Sequence, residues 1–190
     1  MAEGKLYIIG AGPGDPELLT IKAVRLLKEC DVVYHDEPMA EELLAYAKKA
    51  ELVSLSDESD GETISAEAVK AVIEAVKSGK SVAVLLEGDP FIFGIGAEVA
   101  RKAVAAGCKF ELVPGITSAS AAAIYAGIPL TYRGYASTLA FAIGHSRGRT
   151  LTSGHALFGR AACCHRQRTW GSTRRCCDLQ PTQAFPRKAS

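Results

Sequence analysis

The sequence predicts an α/β fold, a parallel sheet with helices on both faces followed by the start of a second α/β unit. Three observations carry that expectation. Short apolar runs alternate with stretches of helical spacing through the first 113 residues, which is the pattern of right-handed βαβ crossovers. One run stops abruptly in Leu85-Leu86-Glu87-Gly88-Asp89-Pro90, a strand tip opening into a polar turn, where an open α/β sheet places its ligands. The chain, at 190 residues, is long enough to bury a real core, and no run approaches the roughly 20 apolar residues of a membrane span.

Each element has its own signal. Lys5 to Ile9 reads as a short buried strand running into Gly10-Ala11-Gly12-Pro13-Gly14-Asp15-Pro16. Asp15 suits an N-cap and Pro16 the first helical position, so a helix is expected there, with Leu18, Leu19, Ala23, Leu26 and Leu27 as its apolar stripe, ending near Glu29. Asp31 to His35 is the second strand and Asp36 its tip. A helix over about Ala40 to Lys48 leads to a third strand, Glu51 to Leu55, and then to a polar loop, Ser56 to Gly61. Val69, Val72, Ile73 and Val76 recur at three- and four-residue spacing with Gly79 after them, the clearest helix of all. Ser81 to Leu86 is the fourth strand, Ile95 to Ala106 the next helix, and Phe110 to Val113 the fifth strand. Pro114 and Gly115 mark a boundary. Beyond it an Ala-rich helix is expected over Thr117 to Ala126, and Ala136 to Ile143 as the first strand of a second sheet. The domain reading is therefore 1–114, an N-terminal α/β domain; 115–145, the start of a second; and 146–190, a tail.

Charge and cysteine divide at the same place. Residues 1–145 hold 13 of the 22 Lys and Arg but 20 of the 21 Asp and Glu, while the remainder is basic. Cys30 and Cys108 stand alone, as free cysteines of a reduced compartment do; Cys163, Cys164, Cys176 and Cys177 crowd the tail. Adjacent cysteines rarely reach one tetrahedral metal together, and the usual Cys-x2-Cys spacing is missing, so no metal is assigned. The tail has no sustained period and few aliphatic residues, so it is read as aberrant and disordered, the product of a shifted reading frame. The start, Met-Ala-Glu-Gly-Lys, lacks the basic-then-apolar order of a signal peptide, and a cytoplasmic location is expected.

Gly10-x-Gly12-x-x-Asp15 approaches a dinucleotide fingerprint and fails it. Asp15 would set a negative charge at the helix N-terminus meant for pyrophosphate, and Pro13 removes an N–H donor from the loop. Asp15, Asp36, Glu87 and Asp89 at predicted strand ends suit a cation instead, such as the sulfonium and ammonium of S-adenosylmethionine. Taken singly, each also has a local reading as cap, loop residue or turn former.

These residues also resemble a known family. Gly10-Ala-Gly-Pro-Gly-Asp-Pro-Glu-Leu-Leu-Thr20, Glu87-Gly-Asp-Pro-Phe-Ile-Phe-Gly94, Pro114-Gly-Ile-Thr-Ser-Ala119 and Ala126-Gly-Ile-Pro-Leu-Thr-Tyr-Arg-Gly134 look like successive motifs of the tetrapyrrole (corrin/porphyrin) methylases, nearest to the uroporphyrinogen-III C-methyltransferases, in order and spacing. The resemblance covers about residues 4–145. It implies two α/β domains with S-adenosylmethionine in the cleft between them and methyl transfer to ring carbons of a tetrapyrrole, with uroporphyrinogen III going to precorrin-2 towards siroheme or cobalamin. Other precorrin methyltransferases, ribosomal RNA methyltransferase relatives and an inert fragment are the alternatives. By the resemblance Pro13, Glu87, Gly88, Asp89, Ile92, Thr117 and Ser118 are cofactor contacts, Asp36 is the proton acceptor and Arg133 grips a substrate carboxylate. It further implies a homodimer acting on a small molecule, with no nucleic acid or membrane partner. The family's proton-donor lysine is replaced here by Asp57 or Glu58, its Lys-Gly-Gly-Asp by Leu86-Glu87-Gly88-Asp89, and a later arginine by Ile95. The family segments that close over the adenosine are not recognised after residue 145, so weak or no methyl transfer is expected of the chain as written.

Overall fold

The computed structural model of the protein describes residues 4–36, 39–55, 66–133, 138–141, 145–146 and 149–150. Glu37, Pro38, the acidic run Asp57 to Asp60 and the cysteines of the tail lie outside them. Two compact units divide between Thr117 and Ser118.

The first unit is built on five parallel strands: β1 (Lys5–Gly10), β2 (Val32–His35), β3 (Glu51–Ser54), β4 (Ser81–Leu86) and β5 (Phe110–Val113). Their order across the sheet is β3-β2-β4-β1-β5. Ile8 lies opposite Val84 of β4 on one side and Leu112 of β5 on the other, so β1 is a central strand. The two-residue period of a strand divides the core in two. Leu6, Ile8, Val32, Tyr34, Val82, Val84 and Leu86 face one side, where α3 (Ala66–Lys77) supplies Val72 and Val76, and α4 (Gly96–Ala105) supplies Val99, Ala100 and Ala103. Ile9, Val33, Ala83, Leu85 and Val113 face the other, covered by Ala23, Leu26 and Leu27 of α1 (Ile21–Glu29) and Leu43 of α2 (Glu41–Leu44). Leu6, Ile8 and Ile9 are wholly buried, worth about 1.5–3 kcal/mol apiece against exposure. The expected parallel sheet with helices on both faces is the fold observed. Cys30 is buried among Leu26, Leu27 and Val33, and burial pushes its thiol up to about 12.

Several boundaries differ from expectation. The first helix is broken: Pro16–Leu18 make one 3-10 turn, Leu19 is extended, and α1 starts afresh at Ile21. The break has two caps. Asp15 accepts a hydrogen bond from the Glu17 N–H at 2.9 Å, and Thr20 Oγ1 accepts one from the Ala23 N–H at 3.1 Å. The expected helix over Ala40 to Lys48 is α2 continued by a 3-10 turn at Ala45–Ala47.

The second unit contains α5 (Ser118–Tyr125), which turns away at Gly127 with a positive φ of 69°, and a short antiparallel pair, β6 (His145–Ser146) and β7 (Arg149–Thr150). Of the strand expected over Ala136 to Ile143, residues 138–141 carry no ladder, and the rest lies outside the described residues. Alternating side chains cannot hold a strand without a neighbour to pair its backbone groups. Among the described residues no helix is long and apolar enough to cross a membrane.

Candidate functional site

The order of the strands creates the site. The chain leaves β1 towards α1 on one face of the sheet and leaves the adjacent β4 towards α4 on the other, so a crevice opens at the carboxyl ends of β1 and β4. Three glycine-bearing loops meet there. Gly12 and Gly88 exchange backbone hydrogen bonds, with N–H to O distances of 3.1 and 2.8 Å, tying the loop after β1 to the loop after β4. A side chain at Gly115 would place its Cβ 2.1 Å from the Gly88 carbonyl oxygen and 2.8 Å from the Gly10 Cα. Only glycine lets these three backbones approach so closely.

Asp89 fastens the third loop. Its Oδ1 accepts from the Phe91 N–H at 2.9 Å and its Oδ2 from the Gly115 N–H at 3.2 Å, so the carboxylate bridges the loops after β4 and β5. Ile92 is drawn into the same turn by its N–H on the Asp89 carbonyl at 3.2 Å. Thr117 follows two residues after Gly115.

Asp36 sits at the tip of β2, half-buried. Its Oδ2 accepts from the Glu87 N–H at 3.2 Å, and among the described residues its Oδ1 takes no hydrogen bond. Burial raises its pKa above the usual carboxylate value; the Glu87 amide opposes this, the Glu87 charge adds to it, and His35 lowers it. The His35 ring is fixed by Nδ1, 2.9 Å from the Asp36 carbonyl oxygen, where it donates. Glu87 itself is exposed.

Of the residues singled out in the sequence, the fold brings Asp36 to Glu87, Gly88 to the loop that carries Pro13, and Asp89 with Ile92 to the segment leading to Thr117. Asp15 points its carboxylate at its own turn. Ser118 and Arg133, both exposed, belong to the second unit. Sequence reasoning missed Gly10 and Gly115 as a packing pair; the signal available was a glycine at the end of one apolar strand and another two residues beyond the end of a second. It also missed that Asp89 is occupied by backbone donors, which only the placement of Gly115 reveals.

Glycine-rich loops at the carboxyl edge and carboxylates without phosphate-binding amides are what the four sequence motifs imply, and comparison with known proteins agrees. The family model for Tetrapyrrole (Corrin/Porphyrin) Methylases matches residues 5–169. The chain belongs to this family. It is 43% identical over 146 residues to the uroporphyrinogen-III C-methyltransferase of Priestia megaterium, covering 76% of this chain and 61% of that protein. It is 42% identical over 155 residues to the siroheme synthase of Psychrobacter sp. (strain PRwf-1), covering 80% of this chain and 32% of that one. The chain thus spans under two thirds of the length of either relative. Among solved structures, the uroporphyrin-III C-methyltransferase of Thermus thermophilus superposes with a TM-score of 0.68 at 41% identity, covering 79% of this chain and 64% of that one. A structure of the Thermus thermophilus enzyme complexed with S-adenosyl homocysteine matches with a TM-score of 0.60 at 40% identity, covering 72% and 54%.

Proposed function

We propose that this tetrapyrrole methylase transfers methyl groups from S-adenosylmethionine to ring carbons of a tetrapyrrole, uroporphyrinogen III being the substrate and precorrin-2 the product. The observation that carries the reading is Asp36: a half-buried carboxylate at the switch-point crevice, held through one oxygen and taking no hydrogen bond at the other among the described residues. The donor set fits a cationic methyl donor. Carboxylates stand at the crevice, and the loop after β1 offers proline and glycine rather than a phosphate cradle.

When bound, the cofactor supplies an electrophilic methyl group on sulfur. The residues of this chain do the rest. Pro13, Glu87, Gly88, Ile92, Thr117 and Ser118 hold the cofactor, the glycine backbones letting the loops close on it. Asp89 locks the loops after β4 and β5 into one frame, so its contribution to binding is to fix the cradle. Asp36 Oδ1 takes the proton released when the ring carbon gains its methyl, or steadies the positive charge that develops on the ring. Burial suits it to that task by making it a better proton acceptor than an exposed carboxylate. Arg133 grips a carboxylate of the substrate, as a guanidinium fork does.

A small anionic acceptor is favoured over nucleic acid because residues 1–145 hold seven more acidic than basic groups, which opposes a phosphate backbone. The test is a labelled-methyl assay of the 190-residue chain with uroporphyrinogen III and with ribosomal RNA, beside calorimetry with S-adenosylmethionine. Weak label in the tetrapyrrole, reduced about 100-fold or more by Asp36→Asn, is expected. Label in the RNA alone, or no cofactor binding, overturns the reading.

A further inference from the structure

The face of the sheet covered by α1 and α2 carries a groove of about 680 Å³, none of whose lining residues is among those assigned to the crevice. Its walls come from three places. Pro16 opens the 3-10 turn before α1, Lys28 stands in the last turn of α1, and Glu42, Tyr46, Lys48 and Lys49 run from α2 into the turn before β3. Tyr46 is half-buried against the core of that face, and the Lys28 ammonium lies 6.0 Å from its ring centroid. Lys28, Lys48 and Lys49 form no ion pair among the described residues, and Glu42 pairs with none of them, whereas Lys5 and Lys22 share Glu111 and Lys80 has Glu51. The groove therefore holds an excess of uncompensated positive charge beside an aromatic ring. We propose that it is a second ligand site, which takes a planar organic molecule carrying two or more anionic groups, its ring on Tyr46 and Pro16 and its anions on the lysines.

Size, charge and lining each narrow the occupant. The volume falls within the roughly 300–1,000 Å³ of small-molecule sites, which combine an apolar lining with a few polar groups that fix orientation. Three like charges gathered around one groove repel each other, and an anion relieves that repulsion. The Glu42 carboxylate opposes any anion, so charge alone attracts weakly and the ring contact has to add to it. An ammonium is a compact point charge that takes carboxylate and phosphate alike, so the anionic groups can be of either kind. The site stands independently of the methyl-transfer reading, because it uses neither Asp36 nor the glycine-bearing loops. Lys48 and Lys49 are the residues to alter: both are exposed, while Lys28 also serves the carboxyl end of α1 and Tyr46 packs on the core.

The experiment is calorimetry on the full chain with four probes: ATP, a planar ring with phosphates; benzene-1,2,4,5-tetracarboxylate, a planar ring with carboxylates; tripolyphosphate, charge without a ring; and adenosine, a ring without charge. Wild type is compared with the double variant Lys48→Gln, Lys49→Gln and with Tyr46→Leu. At least one of the two ring-bearing anions is expected to bind, more tightly than tripolyphosphate or adenosine. Its Kd is expected to rise at least tenfold in the lysine variant and severalfold in Tyr46→Leu. Binding of ATP alone makes the natural occupant a phosphate ester, and binding of the tetracarboxylate alone makes it a polycarboxylate; either supports the site. Binding of neither by wild type overturns it, as does equal affinity in wild type and the lysine variant. Tripolyphosphate bound as tightly as ATP, with Tyr46→Leu unchanged, also overturns it, since a diffuse basic surface would then account for the binding. Because Asp36 takes no part, Asp36→Asn should bind the ring-bearing anion as wild type does; a loss there would place the anion in the crevice and overturn the second site.

Discussion

At the scale of single residues, the site holds a carboxylate whose usefulness costs stability. Asp36 has its pKa raised in the folded chain, chiefly by burial, so the fold prefers its neutral form. The sign follows. Above the folded value the ionised Asp36 works against folding, and the penalty disappears as pH falls through that value. Asp36→Asn keeps an oxygen to accept the Glu87 N–H and removes the charge. It should unfold at the same or a higher urea midpoint at pH 7 while losing methyl transfer, the usual opposition of stability and function at an active site. A lower midpoint at pH 7 would show that the ionised carboxylate stabilises the fold. Gly115 makes the contrary case, since its Cβ would meet the backbone of Gly88 and Gly10, which no rotamer change relieves. Gly115→Ala should cost on the order of 2 kcal/mol or more in urea unfolding. It should also weaken S-adenosylmethionine binding in calorimetry, because Asp89 loses its partner's position.

At the scale of elements, what the sequence shows is periodicity, and what it hides is pairing. The fourth and fifth strands end where the apolar runs end, because Ser81 to Leu86 and Phe110 to Val113 are bounded by Lys80 and Glu87, and by Lys109 and Pro114. The helix after β1 is different. Leu18, Leu19, Ala23, Leu26 and Leu27 keep a helical stripe across a chain that is not continuously helical, because Leu19 is buried from an extended backbone as readily as from a helix. Thr20, a second cap five residues after Asp15, was the visible sign of the break. Thr20→Ala should remove about 1 kcal/mol, measured by urea unfolding; an unchanged midpoint would mean that α1 is held by packing of Leu26 and Leu27 alone. Over residues 138–141, the described part of the strand expected at Ala136 to Ile143, no ladder is formed, since a strand needs a pairing partner that no local pattern supplies. The functional site divides similarly. Asp36 and the Glu87-Gly88-Asp89 turn were legible as strand tips, whereas the Gly12 to Gly88 bridge and the bond from Gly115 to Asp89 join loops 76 and 26 residues apart and could only be seen folded.

At the scale of the whole first unit, an ion cluster remote from the crevice is expected to contribute to acid stability. Glu111 on the edge strand β5 takes Lys5 of β1 at 2.5 Å through one oxygen and Lys22 of α1 through the other, so one carboxylate ties two strands and a helix. Hydrogen bonds from Lys22 and Lys5 hold its pKa down at about 2, from the usual 4.5. A depressed carboxylate contributes stability that is complete above the unfolded value and is lost as pH falls through the folded one, here between about 4.5 and about 2. Asp36 acts with the opposite sign, regaining stability as it protonates, so the acid limb of the stability curve is the difference of the two. Glu111→Gln isolates the first component. Compared with wild type, it should be less stable at pH 7, and the gap in urea midpoint should close steadily from pH 4.5 to pH 2. Both lysines are partly exposed, so 0.5 M salt should narrow the gap at pH 7 by screening. A gap that persists unchanged at pH 2 would mean that Glu111 stabilises through packing of its stem on β5 and not through its charge, and acid unfolding would then have to start elsewhere in the sheet.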